Sequence, residues 1–158
     1  GGFAGSFGLT PMPGMVPMGR IGLAFDFPNW TLLGGVRYGQ RALTTDFLGV
    51  DETSFGVDVG AMYSWDIGML TPAVGVHAGI SHLTQTFDTV NFTPPVATWV
   101  PRTGLFGRLS VSPFSNVSFY AQGGVDLVFW TAIQEGGGQG WEPTFAPEFG
   151  AGVSVYLF

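Results

Sequence analysis

The chain has 158 residues, of which 46% are hydrophobic and only 10% charged; it has no cysteine and a net charge of −6. That length makes one domain, residues 1–158, and the charged fraction falls well below the about 25–35% that keeps a soluble surface dispersed. Five arginines, no lysine and no cysteine exclude a phosphate-neutralising basic patch, and so a nucleic-acid partner, as well as disulfides and thiolate metal sites.

No apolar run approaches the roughly 18 residues of a membrane-spanning helix, so the hydrophobic content must be spread over strands. Strand one is expected over residues 2–10, with Phe3, Phe7 and Leu9 on one parity and small residues on the other. Residues 11–17 carry three prolines and are expected as a loop. Strand two, 19–27, sets Ile21, Leu23, Phe25 and Phe27 against Arg20, Gly22, Ala24 and Asp26. After a turn at Pro28 and Asn29, strand three sets Leu32, Val36 and Tyr38 against Gly35, Arg37 and Arg41, and a polar loop follows through Asp46, Asp51 and Glu52.

Strand four alternates most clearly, with Phe55, Val57, Val59, Tyr63 and Trp65 opposite Gly56, Asp58, Gly60, Met62 and Asp66. No helix has that period. Strand five places Val74, Val76 and Ile80 against Gly75, His77, Gly79 and Ser81, and residues 84–101, which include Asp88 and three prolines, form the longest expected loop. Strand six puts Leu105, Leu109 and Val111 opposite Arg102, Phe106 and Arg108; strand seven puts Phe119, Val125, Leu127 and Phe129 opposite Tyr120, Gln122 and Asp126. A glycine-rich loop over 134–143, with Glu135 and Glu142, leads to strand eight.

Strand eight reads F-A-P-E-F-G-A-G-V-S-V-Y-L-F, with Phe149, Ala151, Val153 and Val155 on one parity and Glu148, Gly150, Gly152 and Ser154 on the other. Its end, Tyr156 and Phe158, resembles the C-terminal signal of bacterial outer-membrane β-barrel proteins. The architecture as a whole is similar to the OmpA-like membrane domain. The resemblance implies an all-β, eight-stranded antiparallel up-and-down transmembrane barrel with a polar, plugged interior. It also implies contact with outer-membrane lipid and lipopolysaccharide, and with the barrel assembly machinery through the last strand. The chain is then a mature one whose export signal has been removed. The expected connections alternate long and short, which puts both termini on the periplasmic side.

Bulky apolar residues define the faces, so the charges test them. Arg20, Asp26, Arg37, Arg41, Asp58, Asp66, Arg102, Arg108, Asp126 and Glu148 all fall on the second face, an agreement that random sides would produce roughly once in a thousand trials under strict alternation. Volume orients the two faces. An eight-stranded barrel holds only side chains, so the glycine-rich, charged face goes inside and the aromatic face meets lipid, with Phe27, Trp30, Phe55, Trp65, Phe119 and Phe129 as interface aromatics.

Buried charges need partners, so Arg20 and Arg37 are expected to meet Asp58, Asp126 or Glu148. Arg108 should engage Gln122 or an acid, Arg102 should join the interior charge network near the base of the outer loops, and His77 should sit within reach of Asp58. His82, with Ser81 beside it and Thr84 two residues on, approximates the His-x-Ser arrangement of lipid A deacylase barrels, which it resembles without an evident acid; a girdle histidine is the ordinary reading and no catalysis is expected. The acidic outer residues Asp46, Asp51, Glu52, Asp88, Glu135 and Glu142 read as solvated loops, with divalent-cation bridging or a basic partner as the functional alternative. No metal motif or cofactor is expected. The function expected is structural, anchoring or partner-binding in the outer membrane, with another envelope protein as a candidate partner; the alternatives are a lipid A-modifying enzyme or a small-solute or ion channel.

Overall fold

Period-two alternation builds eight antiparallel strands: β1 (Gly2–Met12), β2 (Gly14–Asp26), β3 (Trp30–Thr44), β4 (Gly49–Ser64), β5 (Leu70–Asp88), β6 (Val96–Phe114), β7 (Val117–Ile133) and β8 (Gln139–Tyr156). The computed structural model describes residues 2–12, 14–44, 49–88, 96–133 and 139–156, with side chains over 18–42, 49–86, 97–130 and 140–156. Each strand pairs with its sequence neighbours, and β1 returns to β8 from Gly2↔Tyr156 to Leu9↔Phe149, closing the sheet into a barrel. Closure leaves no strand edge through the middle of the wall, which a bilayer requires because it offers no water to unpaired backbone groups.

The apolar parity faces out. Ile21, Leu23, Val36, Val57, Val59, Val74, Leu105 and Leu109 are all exposed, while Arg37, Asp58, His77, Arg102, Arg108 and Asp126 are buried. Such an exterior is stable only against hydrocarbon, so this is a membrane-spanning barrel with its charged side chains inside. At the short-turn end Trp30 meets Tyr63 edge-on at 5.2 Å and Tyr63 lies 6.1 Å from Trp65. Phe27, Trp30, Trp65 and Phe119 are exposed there, and Phe55 toward the other end, whereas Phe129 is half-buried. Trp99, Trp141 and Phe145 are exposed aromatics near the long-loop end that sequence reasoning does not single out.

The strands run further than their sequence suggests. Residues 11, 12 and 14–17, expected as a loop, continue β1 and β2, with Leu9 opposite Pro17 and Pro11 opposite Met15. Asp51 and Glu52 lie inside β4, opposite Ala42 and Arg41. Asp88 ends β5, Pro101 sits in β6 opposite Ile80, and Glu142 sits in β8 opposite Trp130. Asp46 and Glu135 lie outside the described residues. The reason is stagger. Pairing between β6 and β7 stops at Arg102↔Val128, between β2 and β3 at Met18↔Gly39, and between β8 and β1 at Leu9↔Phe149. Beyond those rungs the β1–β2 and β7–β8 hairpins separate from the four-stranded sheet β3–β6, leaving free edges where polar residues and prolines are tolerated.

Proline placement follows the same stagger. Pro11, Pro17, Pro101, Pro143 and Pro147 each occupy a stretch paired on one side only. Pro113 falls where the β6–β7 register shifts between Val111 and Phe114. A proline has no N–H, so it fits at an open edge and blunts that edge against another strand. Replacing Pro143 and Pro147 together by valine restores two edge donors on β8. The variant barrel is expected to keep its heat-shifted electrophoretic mobility while forming higher oligomers in detergent, read by light scattering; a strictly monomeric variant would show that the prolines do not guard this edge.

Candidate functional site in the lumen

The lumen is built in layers that follow the inward residues of each strand. In the middle, Asp58 of β4 binds Arg37 of β3 at 2.6 Å and Arg20 of β2 at 3.1 Å. Across the lumen, Asp126 of β7 binds His77 Nε2 at 2.8 Å and Arg102 at 3.1 Å. Glu148 of β8 completes that half, 3.5 Å from Arg102 and 3.8 Å from His77. Three guanidinium groups thus face three carboxylates. Asp126 is 0% exposed, and a buried charge persists only when paired in this way.

Glycine makes the space. Asp58 stands between Gly35 and Gly79, and His77 between Gly60 and Gly104. A Cβ on Gly104 would overlap the Asp126 carboxylate, and one on Gly35 would come within 3.1 Å of both Arg20 Nε and Asp58 Oδ1. Asp58 and His77 can therefore lie over a neighbour's backbone and reach Arg20 and Asp126, each one strand further on.

Apolar groups cap this network on both sides. Toward the short turns Ala24, Leu33 and Phe106 form a buried cluster with Met62 against it; toward the long loops Leu83, Val100, Val128 and Ala146 form another, with Trp130 packed on it. Beside the latter, Glu52 holds Arg41 at 2.9 Å and accepts a hydrogen bond from Gln85 Nε2 at 2.7 Å. At the short-turn end, Arg108 donates to Gln122 Oε1 from Nε and from one terminal nitrogen, at 3.1 and 2.8 Å, and lies over the Tyr120 ring at 4.1 Å.

Several expected placements change. His77 meets Asp126 and Glu148, not Asp58, because Asp58 is taken by two arginines while Gly104 leaves the way to Asp126 open. Glu52 is a buried ion-pair partner rather than a loop acid, whereas Arg102 lies in the interior charge network as expected, on Asp126 and Glu148. Ser81 is buried in the lumen while His82 faces outward, since alternation sends neighbours to opposite sides. They cannot act together. His82 packs edge-on against Trp99 at 4.7 Å with Thr84 Oγ1 3.5 Å from Nδ1, and among the described residues no carboxylate orients it. Asp51 and Glu142 are exposed. Tyr156 is half-buried on the inward face; Phe158 lies outside the described residues. Reading the inward parity past the charged rows, through Leu83, Val100, Val128 and Ala146, would have revealed the apolar cap.

His77, Asp126 and Glu148 place one ligand atom each within 4.8 Å of one another. Arg102 already occupies both carboxylates, which disfavours a second cation there.

No family model matches the chain, and no curated protein matches it in sequence. Solved structures do match in shape. Neisserial surface protein A superposes with a TM-score of 0.70 at 12% identity, covering 99% of this chain and 95% of that one. A major outer membrane protein from Thermus thermophilus gives 0.66 at 12% identity, covering 99% and 98%. The N-terminal β-barrel domain of Pseudomonas aeruginosa OprF gives 0.58 at 14%, covering 98% and 96%. The fold is that of the small outer-membrane β-barrels.

Asp58 separates two arginines that are direct cross-strand neighbours, Arg20↔Arg37. Asp58→Asn leaves both guanidinium groups without their counter-charge and is expected to destabilise the barrel by about 3–5 kcal/mol, the usual cost of breaking a buried pair, measured by urea unfolding in lipid vesicles. Adding Arg37→Met to that variant should recover part of the loss. Equal stability of the wild-type and Asp58→Asn proteins would contradict a tightly coupled network.

Proposed function

We propose that the chain is an integral protein of the bacterial outer membrane, with both termini on the periplasmic side and a structural, anchoring or partner-binding role. One observation supports this reading: among the described residues, a charge-balanced network lies in the lumen between apolar clusters. A continuous aqueous path would need polar groups through the whole length, and the layers of Leu83, Val100 and Val128 and of Leu33 and Phe106 argue against one. The lipid-facing wall supports anchoring, because exposed aliphatic residues between aromatic rows match a hydrocarbon slab. The location rests on the shared fold with bacterial outer-membrane proteins.

Two other roles are weaker. A lipid A-modifying enzyme would need a nucleophile and an oriented base on the outer wall, and His82 has a distant threonine hydroxyl and an indole face for company. Cation bridging to lipopolysaccharide would use acids near the long loops, of which Asp51 and Glu142 are exposed. Barrel assembly factors and a neighbouring envelope protein are the partners that fit the architecture, and co-purification from detergent extracts would reveal a stable one.

Reconstituted into planar bilayers, the folded barrel is expected to give no stable large unitary currents. Long-lived openings of porin size would overturn the sealed lumen, and release of acyl chains from lipopolysaccharide that disappears in His82→Ala would establish the enzyme reading instead.

A further inference from the structure

The short-turn mouth of the barrel opens into a cavity of about 260 Å³. Arg108 forms part of its lining, below a collar of hydroxyl groups from Ser64, Ser110, Ser118, Ser154 and Tyr156. At the rim stand two exposed carboxylates, Asp26 and Asp66, each held by a threonine: Thr31 Oγ1 donates to Asp26 at 2.7 Å and Thr71 Oγ1 to Asp66 at 2.9 Å.

Arg108 differs from every other arginine of the chain. Arg20, Arg37, Arg41 and Arg102 each bind a carboxylate, whereas Arg108 is held by the neutral Gln122 and the rings of Tyr120 and Phe106. It is 7% exposed. Gln122 and Tyr120 fix the direction of the guanidinium group without cancelling its charge, and a buried cation with no carboxylate on it among the described residues favours any anion able to reach it. The cavity provides the route.

We propose that this vestibule binds a small zwitterion, with its carboxylate on Arg108 and its ammonium group between the Asp26 and Asp66 carboxylates. A plain anion would pass two negative charges to reach one positive charge. A plain cation would find the rim attractive but the floor repulsive. A molecule carrying both charges satisfies floor and rim together, and the serine and tyrosine hydroxyls, able to donate or accept, suit the polar groups between them. The volume lies just below the about 300–1,000 Å³ of drug-sized sites, which fits a ligand no larger than an amino acid or dipeptide. Leucine and phenylalanine side chains close the lumen behind Arg108, so the ligand is held rather than passed. This inference does not depend on which side of the membrane the mouth faces.

The test uses the full barrel in lipid nanodiscs, with glycylglycine, acetate and methylamine as probes in calorimetric titration. Glycylglycine should bind saturably and more tightly than either singly charged probe. Arg108→Gln is expected to weaken it by about tenfold or more, the equivalent of one charge-assisted contact, with heat-shifted mobility confirming the folded barrel. Should that variant fail to fold, the pair Asp26→Asn and Asp66→Asn decides: both sites are exposed, and the double variant should lose the preference for glycylglycine over acetate. No saturable binding, acetate bound as tightly as glycylglycine by the wild type, or a preference unchanged in the rim variant would each overturn the proposal.

Discussion

Width is the constraint on which this molecule turns. The interior of an eight-stranded barrel is just wide enough for side chains, and here it must hold three arginines, three acids and a histidine in its middle layers. Glycine opposite nearly every one of them is what makes that possible. Gly35, Gly60, Gly79 and Gly104 give up their own side chains so that Asp58, His77 and Asp126 can lie flat and find partners. Phe106 uses the same device against Gly75 and Gly124, the residues facing it on the two adjacent strands. Substituting a larger residue at such a position would displace an ion pair rather than merely crowd a wall.

The division of labour between the faces follows. With the ionic side chains turned inward, the wall can be almost wholly apolar without leaving a charge in hydrocarbon. All five arginines point into the lumen, and the chain has no lysine. The aromatic rows therefore hold the barrel's depth without help from snorkelling cations.

Much of this is readable from residue order. The period of two is strong because lipid and lumen impose opposite demands on alternate residues, so strands such as β4 and the sidedness of Asp58 or Asp126 emerge from parity alone. Strand ends are not readable in that way. Proline and polar residues mark loops, but they also mark water-bathed ribbons, and only the register between strands tells the two apart: Pro17 and Pro101 extend strands because one edge there is free. The partner of His77 is hidden for a related reason. Parity says which side a group faces, while the choice between Asp58 and Asp126 depends on which neighbouring strand leaves a gap. Arg108 and Gln122 lie directly opposite each other, and that pair is within reach of sequence reasoning because adjacent strands fix it locally.

The stagger that frees those edges also separates two design problems. Above the last shared rungs, the β1–β2 and β7–β8 hairpins answer to themselves alone, so adding or deleting residues in matched pairs on both arms would change how far each projects without altering parity in the wall below. The barrel is thus a fixed socket carrying masts of adjustable height, and selection can retune what projects beyond the membrane while the embedded part stays untouched.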